Sequence, residues 1–545
     1  MARAAKASRQ MHALAEWYTV QPTIQKRRER QDMTRIMKAG LAMAALAAAA
    51  LAGPDVAVAQ MQDKTLRASN WGLPPSRGNP FAGFSTPQTF TWSAMFDALT
   101  TIDENGTPQA ALATAWKNTS PTTWEFTLRP GVKFHNGEAL TPAALVEAVN
   151  WLNTDDGKAK GGSVASRIAW IASIASKGDG ALEITTKRPN PIAPNELAVL
   201  LLPEPKAWKD LTAFADKPVG TGSYKAVSFS QNLVKFEADP QSWRPAKIKY
   251  LEIYDIPDRA ARLAAFQSNQ VDIALGMSPD NLPALKAAGA QINAQTGHQV
   301  LTFGITQVNA KEGVNIAPFQ DRRVRLALNH AIDRQAMVDG LLAGVGGVAV
   351  GQGLTPIVNG YNPAVKPYAH DPAKAKALLA EAGHSNLAFD VEAIPGAFPA
   401  DSEIFQQMAA DLGKVGVKSN IRTITFADWR NKFFPMTWDV PVWHNLWIGG
   451  PVMDASSPMV SQSCGKSGKP YVCDPKQQAL LDAAATEFDA KKRNAILQQL
   501  VQLQHDEAIN IFLVGFNNIH AYSPKIEGFR NVNETIHYHQ MTLKP

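Results

Sequence analysis

The chain has 545 residues, of which 45% are hydrophobic and 19% charged, and its formal net charge is +6. This length exceeds one ordinary hydrophobic core and predicts two or three packed units, and the composition excludes a disordered chain. Residues 1–59 hold nine Lys/Arg and four Asp/Glu, which leaves 45 basic and 44 acidic residues for the rest. A nearly neutral body excludes the basic surface that nucleic-acid binding needs.

The N-terminal segment has the pattern of a secretory signal peptide. Lys38 precedes a short apolar run, residues 39–52, and small residues at 57–59 suit cleavage. The run falls short of the roughly 20 apolar residues that span a bilayer. We therefore predict cleavage after Ala59, leaving Gln60 first and no lipid anchor, because no Cys follows the run. The residues before this pattern form an extension that fits no part of a signal peptide, and a later translation start explains it.

Residues 123–152, TWEFTLRPGVKFHNGEALTPAALVEAVNWL, predict two strands, two turns and the start of a helix. Apolar and polar residues alternate over WEFTLR, and Pro130-Gly131 turns the chain into a returning strand, VKFH. Asn136-Gly137 suits a second tight turn. Thr141 caps a helix with Pro142 at its first position.

Three further helices are predicted from caps and apolar periodicity. Asp321 caps the first, with a buried stripe of Val324, Ala327, Leu328, Ala331 and Ile332 and with Arg322, Arg323 and Arg325 in solvent. Asp371 caps the second, which Gly383 ends. Residues 402–417 form the third, and the alternating strand VKSNIRTITF follows directly. This succession predicts an α/β architecture with mixed sheets.

Cys464 and Cys473 are the two cysteines of the chain. In an exported protein such a pair is typical of a disulfide closing a local loop, because a metal site would need two further ligands.

The common catalytic motifs are absent from the sequence: there is no G-x-S-x-G, no H-E-x-x-H and no phosphate-binding loop. His135 beside Glu138 is compatible with an acid–base pair of a hydrolase. The alternative is that both are polar residues at the end of a hairpin. The remaining histidines form no cluster, and we predict no metal and no cofactor.

Tryptophans concentrate in the segment MTWDVPVWHNLWIGGPVMD. Trp438, Trp443 and Trp447 lie within ten residues, and the segment ends at Asp454. Such a run is compatible with a hydrophobic core or with the wall of a ligand cleft, in which the carboxylate receives an ammonium. Trp71 and Trp92 are candidates for the opposite wall.

Five blocks in order resemble the bacterial extracellular solute-binding proteins of family 5, the dipeptide/oligopeptide type. They are the segment from AALATAWKNTS to VEAVNWL, PVGTGSYK at 218–225, RAARLAAFQSNQVDIAL at 259–275, FQDRRVRLALNHAIDRQAMV at 319–338 and HDPAKAKALLAEAG at 370–383. The resemblance implies a periplasmic binding protein of an ABC importer, with two lobes that close on a solute about a two-stranded hinge.

The resemblance also implies a domain layout. Lobe I spans 60–300 and includes an inserted α/β subdomain at about 90–215, lobe II spans 301–513, and 514–545 return to lobe I. His135 then belongs to the subdomain and has no catalytic role. The implied partners are the permease subunits in the inner membrane, and the protein is expected to be a monomer. The cysteine loop resembles that of the dipeptide-binding members, which supports the Cys464–Cys473 disulfide.

Ligand contacts carried over from the resemblance and from the tryptophan clusters are Asn70, Trp71, Trp92, Phe398, Trp443, His444, Asn445, Trp447 and Asp454. Asp454 stands near the family's acceptor for a peptide ammonium, with one extra residue in the spacing. The arginine that dipeptide binders use for the ligand carboxylate has no counterpart in residues 396–404. A longer peptide, a blocked peptide or another amine-bearing solute is therefore an alternative to a free dipeptide. Within the family, the alternatives are an opine, glutathione, a nickel chelate (for which His444 is suggestive) or an oligosaccharide.

Overall fold

The computed structural model describes residues 61–545 except 83–84, 208–209, 434, 449–451, 460–461, 463 and 465–469. The signal peptide predicted over residues 1–59 lies outside the described residues. Within the described part, no helix combines the length and the apolar character that crossing a bilayer requires.

The strands alternate with helices along the chain, as the sequence predicts. They are β1 (Gln62–Asn70), β2 (Thr100–Ile102), β3 (Pro108–Ala110), β4 (Ala113–Ser120), β5 (Thr123–Leu128), β6 (Ile171–Ser176), β7 (Ala181–Thr186), β8 (Tyr224–Phe229), β9 (Leu233–Ala238), β10 (Ile248–Asp255), β11 (Ile273–Met277), β12 (Gln291–Ile305), β13 (Gly347–Val348), β14 (Ala388–Ala393), β15 (Lys418–Thr423), β16 (Val442–Ile448), β17 (Asn510–Tyr522), β18 (Ile526–Glu527), β19 (Asn531–Val532), β20 (Thr535–Ile536) and β21 (Thr542–Leu543).

The helices range from single turns to the long α13 and α17. They are α1 (Thr86–Trp92), α2 (Pro142–Leu152), α3 (Asp155–Lys160), α4 (Gly162–Arg167), α5 (Ala193–Glu196), α6 (Leu211–Asp216), α7 (Arg259–Gln267), α8 (Leu282–Ala287), α9 (Ala317–Gln320), α10 (Arg322–Ala331), α11 (Arg334–Ala336), α12 (Pro372–Glu381), α13 (Asp401–Lys414), α14 (Phe426–Phe433), α15 (Ser456–Met459), α16 (Pro475–Thr486) and α17 (Ala490–Asp506).

Most strands join one mixed sheet in the order β15-β14-β16-β12-β17-β11-β1-β10-β9-β8, with β13 paired to β17. β14 is parallel to both β15 and β16, and β1 is parallel to both β10 and β11. A separate antiparallel sheet, β4-β5-β7-β6, carries residues 113–186. The mixed α/β architecture predicted from the sequence is therefore confirmed.

Two long strands, β12 and β17, pair antiparallel at the centre of the main sheet. Gln291–Thr296 pair with Asn517–Tyr522, and Val300–Gly304 pair with Asn510–Gly515. The register shifts between Thr296 and Val300. The two halves of each strand thus form separate ladders, joined across an irregular stretch that lacks regular pairing.

The buried apolar residues form two main clusters on either side of this stretch. One draws on strands and helices between Leu66 and Leu275 and again on Ile526–Met541. The other runs from Leu301 to Phe516. A smaller cluster joins Ile102 to Leu354, Met453 and other residues of the C-terminal half of the chain.

Two of the three predicted helix caps, Asp321 and Asp371, are confirmed. The Asp321 carboxylate accepts from the Arg323 amide, and that of Asp371 from the Lys374 amide. Thr141 precedes α2 as predicted, but its side chain makes no capping hydrogen bond. The prediction of a returning strand over VKFH is wrong. This segment forms one isolated bridge, between Lys133 and Ala139, because β5 pairs with β4 and β7 instead.

One predicted solvent residue of α10 is buried. Arg325 is 3% exposed, and its guanidinium donates to the carbonyls of Phe319, Gln320 and Glu507. Backbone acceptors at the ends of neighbouring segments satisfy the buried cation, which the helical spacing alone does not reveal.

Candidate ligand-binding site

One cavity, which we call the larger cavity, has a volume of about 820 Å³ and reaches the central strand β12 of the main sheet through Gln299. Its lining comprises Ser85, Gln299, residues 394–398, residues 423–426 and Asp428. This volume falls within the range of roughly 300–1,000 Å³ that is typical of small-molecule sites.

The topology of the sheet explains why this cavity forms. Residues 394–398 follow β14, and residues 424–428 follow its parallel neighbour β15. Because parallel strands end at the same edge of a sheet, both loops emerge together at the carboxyl edge. Open α/β sheets bind their ligands in the crevice outside this edge.

Two phenylalanines give the larger cavity its apolar surface. Phe398 is half-buried and stacks on Phe516, with ring centroids 4.6 Å apart and planes 8° from parallel. Phe426 is 52% exposed and stacks on Trp429 at 5.6 Å. A large apolar side chain left this exposed beside a cavity is available to an apolar group of a ligand.

The smaller cavity, of about 210 Å³, lies along the irregular stretch of β12 and β17. Its lining comprises Asp103, Glu104, residues 295–298, Ile357, Met453, Asn518 and residues 531–534. His298 lines this cavity and the next residue, Gln299, lines the larger one. The two cavities therefore approach each other along consecutive residues of β12.

A third cavity, of about 250 Å³, lies among residues 89–111, 198–201, 243–244 and 533–540. Its charged groups already satisfy one another: the Arg244 Nε donates to Asp97 at 2.6 Å, and Trp243 and Thr221 donate to the second oxygen of Asp97. A buried charge pair that is fully hydrogen-bonded belongs to the packing of the fold.

Several sequence-predicted contact residues lie in the hydrophobic core. Trp92 is 1% exposed and donates to the Arg77 carbonyl, and the Asn70 amide donates to the carbonyls of Gly72 and Pro87. Trp443 is fully buried between Trp438 and Tyr471. The tryptophan run is thus largely core, and these positions stay predictions without support from the cavity linings.

The middle of β16 is also enclosed. Asn445 is 3% exposed and donates to the Tyr471 hydroxyl at 3.3 Å. His444 is fully buried, and its Nδ1 accepts from the Ile394 amide. Burial lowers the pKa of His444 to about 3, so its ring is neutral. Trp447 lies in the same strand, and its side chain is outside the described residues.

One predicted residue, Phe398, reaches a cavity, whereas Trp71 is absent from the linings of all three cavities. Phe398 lines the larger cavity. Trp71 is half-buried, with its ring edge-on to Phe90 and the Arg262 guanidinium 5.8 Å from its centre.

Asp454 is completely buried and paired with a cation of the chain itself. Its two carboxylate oxygens accept from the Arg493 guanidinium at 2.6 and 2.9 Å, and Ser456 donates to one of them. Burial alone would raise the pKa of Asp454, but Arg493 and Ser456 hold it below its usual value. This geometry leaves no accessible oxygen, so it gives no support to Asp454 as an ammonium acceptor.

His135 and Glu138 do not form an acid–base pair. The His135 ring accepts from the Gly220 amide at Nδ1 and bonds the Gly222 carbonyl through Nε2 at 3.1 Å. Glu138 is exposed and pairs with Lys206. Both ring nitrogens are therefore committed to the backbone, as expected of a turn residue.

Cys464 and Cys473 form a disulfide, with Cα atoms 5.0 Å apart, which confirms the predicted pairing. Among the described residues, no group of three or more His, Cys, Asp or Glu side chains is arranged to hold a metal ion.

Cavity-lining residues that the sequence reading missed are Gln299, His298, Phe426 and Glu534. They lie on β12, at the start of α14 and in the hairpin between β19 and β20, which are far apart in the chain. The sequence offers a signal for Phe426 alone, which is the last residue of the predicted strand VKSNIRTITF.

Comparison with known proteins identifies the family. The family model described as "Bacterial extracellular solute-binding proteins, family 5 Middle" matches residues 107–469. The chain belongs to this family. Among its relatives, heme-binding protein A of Haemophilus influenzae is 26% identical over 77% of this chain and 81% of its own length. The dipeptide-binding protein of Escherichia coli is 23% identical over 91% of this chain and 95% of its own.

Solved structures of family 5 solute-binding proteins have the same fold. HbpA2 from Haemophilus parasuis superposes with a TM-score of 0.77 at 21% identity, covering 88% of this chain and all of that structure. The main sheet, with β12 and β17 at its centre, therefore has the two-lobed fold of periplasmic binding proteins.

Proposed function

We propose that this family 5 protein is the periplasmic solute-binding component of an ABC importer, and that it captures peptides or peptide-like solutes without altering them. The single observation that carries the proposal is the larger cavity, which opens at the carboxyl ends of the parallel strands β14 and β15 and reaches β12 through Gln299. A site beside the paired strands β12 and β17 suits a protein that closes on its ligand by hinge bending.

The proposed lobes follow the predicted layout, with lobe I over 60–300, lobe II over 301–513 and a return over 514–545. The two main hydrophobic clusters, drawn from 66–275 with 526–541 and from 301–516, support this division. The irregular pairing between Thr296 and Val300 is the proposed hinge. A signal peptide ending at Ala59, a monomeric state and release to an inner-membrane permease complete the proposal.

The peptide class is supported by the lining of the larger cavity. Backbone groups of the loops after β14 and β15 can bond a peptide main chain, and Phe398 and Phe426 can cover apolar side chains. The dipeptide-binding relative is named for such a ligand. The heme-binding relative is named for a second class of ligand, which is an alternative to peptides. The opine, glutathione, nickel-chelate and oligosaccharide alternatives remain as well.

A thermal-shift screen of the purified protein against dipeptides, tripeptides, amidated peptides, glutathione, heme and metal chelates tests the proposal. A ligand at 100 times its dissociation constant adds about 2.7 kcal/mol of stability, which is readily detected. We expect peptides to stabilise the protein. Stabilisation by heme, glutathione or a chelate alone would assign a different solute within the family.

A further inference from the structure

The charged side chains that line the larger and the smaller cavity are acidic. Among the described residues that line them, four are acidic and none is Lys or Arg: Asp103, Glu104, Asp428 and Glu534. A lining of this kind disfavours a ligand rich in carboxylates, because no cation is at hand to replace the water that such groups lose on burial.

Three of the four carboxylates already have partners that account for them. Asp103 accepts from the backbone amides of Asn105 and Thr107. Glu104 accepts from the Arg530 guanidinium at 2.6 Å. Asp428 accepts from the Thr425 hydroxyl and is exposed to solvent.

Glu534 differs from these three because it is 8% exposed and forms no ion pair with a Lys or Arg of the described residues. Its Oε2 accepts from the Thr86 hydroxyl at 2.8 Å, and its Oε1 lies 3.7 Å from the His298 Nε2. A nearly buried carboxylate with one short neutral hydrogen bond is costly unless a cation joins it.

The backbone conformation at Glu534 is energetically unfavourable for a glutamate. Glu534 and Asn533 form the turn between β19 and β20, with φ angles of +60° and +46°. Such a turn favours Asn-Gly, and glutamate rarely adopts a positive φ. The hairpin thus directs a glutamate into the smaller cavity where a glycine would fit the backbone better.

A second buried polar group faces the same cavity. Asn531 is 2% exposed and lines it. One end of its side-chain amide lies 2.9 Å from the His520 Nε2, and the other end has no partner. Because the His520 Nδ1 accepts from the Gly276 amide, Nε2 carries the proton and donates to the Asn531 oxygen, so the unpartnered end is the NH2 group. Buried amide groups are normally fully paired, so an unpaired one beside a cavity is a site where a ligand can bond.

We propose that the smaller cavity receives a protonated amine of the captured solute, with Glu534 as its counter-ion, and that the Asn531 NH2 group donates to an oxygen of the solute beside that amine. This inference rests on the proposed function and specifies the charge of the solute. The proposed ammonium acceptor is therefore Glu534, in the hairpin between β19 and β20, and not Asp454, whose carboxylate is already bonded to Arg493. The solute is then an amine with an apolar portion for Phe398 and Phe426, and it carries no net negative charge.

Three matched probes test the proposal: phenylalanyl-alaninamide, its N-acetyl derivative and the free acid phenylalanyl-alanine. Binding to the purified wild type and to Glu534→Gln is measured by calorimetry. We expect the wild type to bind the amidated amine about 10- to 100-fold more tightly than the acetylated probe, which lacks the charge-assisted hydrogen bonds. Glu534→Gln should remove this preference.

Glu138→Gln is the matched control, because it makes the same charge change on an exposed carboxylate that lines neither cavity. It should keep the preference. If Glu534→Gln does not fold, Glu534→Gly, which suits the positive φ of this turn, serves instead and should also remove the preference.

The outcomes separate this inference from the proposed function. Equal affinity of the wild type for the free and acetylated amines, or an unchanged preference in Glu534→Gln, overturns the inference while leaving peptide binding intact. Binding of none of the three probes overturns the peptide proposal and this inference with it.

Discussion

The carboxylate of Asp454 and the guanidinium of Arg493 form a doubly bonded ion pair, at 2.6 and 2.9 Å, in a completely buried position. Removing one partner of such a pair leaves an uncompensated charge in a dry environment. The pair links β-bridge residues near Asn359 to the long helix α17, so it stabilises the C-terminal half of the chain.

We therefore expect Asp454→Asn to lower the free energy of unfolding by about 3–5 kcal/mol. Urea unfolding of the wild type and the variant measures this difference. Asp156→Asn, which removes an exposed partner of Lys160, is the control and should cost less than about 1 kcal/mol. A loss of solute affinity in Asp454→Asn with unchanged stability would instead return Asp454 to the ligand site.

Glu196 makes the stability of the protein depend on pH. Burial raises the pKa of Glu196 to about 7, and Asp454 acts in the same direction. Because the folded-state pKa is above the unfolded one, the folded protein holds this proton more tightly. The contribution of Glu196 to stability is then fully present below about pH 4.5 and is lost as the pH rises through about 7.

Glu196→Gln should abolish this loss. Relative to the wild type, the variant should gain stability on the order of 2 kcal/mol between pH 5 and pH 8, an amount reduced for the partial exposure of the side chain. Urea unfolding at the two pH values measures it. The exposed Glu138→Gln variant serves as control, and a parallel pH dependence of Glu196→Gln and wild type would contradict the prediction.

Phe426 offers a test of the larger cavity that does not disturb the core. Its side chain is 52% exposed, so Phe426→Ala should change the free energy of unfolding by less than about 1 kcal/mol. Loss of a stacked ring should weaken solute binding by about 5- to 10-fold. Val227→Ala, at an exposed position outside the cavities, should change neither quantity. Unaltered affinity in Phe426→Ala would remove the larger cavity from the site.

The Cys464–Cys473 disulfide closes a short loop, with a sequence separation of nine residues. Replacing both cysteines by serine should lower stability by about 2–3 kcal/mol on the loop-entropy model. Thermal unfolding of the variant, compared with the wild type with and without a reductant, measures the effect. Equal melting temperatures for oxidised and reduced wild type would show that the bridge contributes nothing.

Local features of the fold could be predicted from the sequence because their causes are local. The caps at Asp321 and Asp371 need a carboxylate and the amides that follow within three residues. The disulfide needs two cysteines in an exported loop. The strand VKFH was mispredicted because the partners of β5 come from residues 113–120 and 181–186, which lie outside the local pattern.

The site was less predictable because its residues meet only through long-range packing. Nothing in the spacing around Asp454 reveals that Arg493, 39 residues further on, neutralises it. Trp443 looked equally suited to a core and to a cleft, and Tyr471 and Trp438 enclose it. Glu534 enters the smaller cavity because the C-terminal segment returns beside β12, a relationship that no local motif encodes.

Native mass spectrometry of the purified protein with a stabilising solute tests the central claim most directly. The claim is that a cleft holds one small solute and leaves it unchanged. We predict a complex whose mass is that of the protein plus one intact solute, and release of the same solute on activation. A solute recovered with an altered mass, or no complex with any member of the panel, would contradict the account.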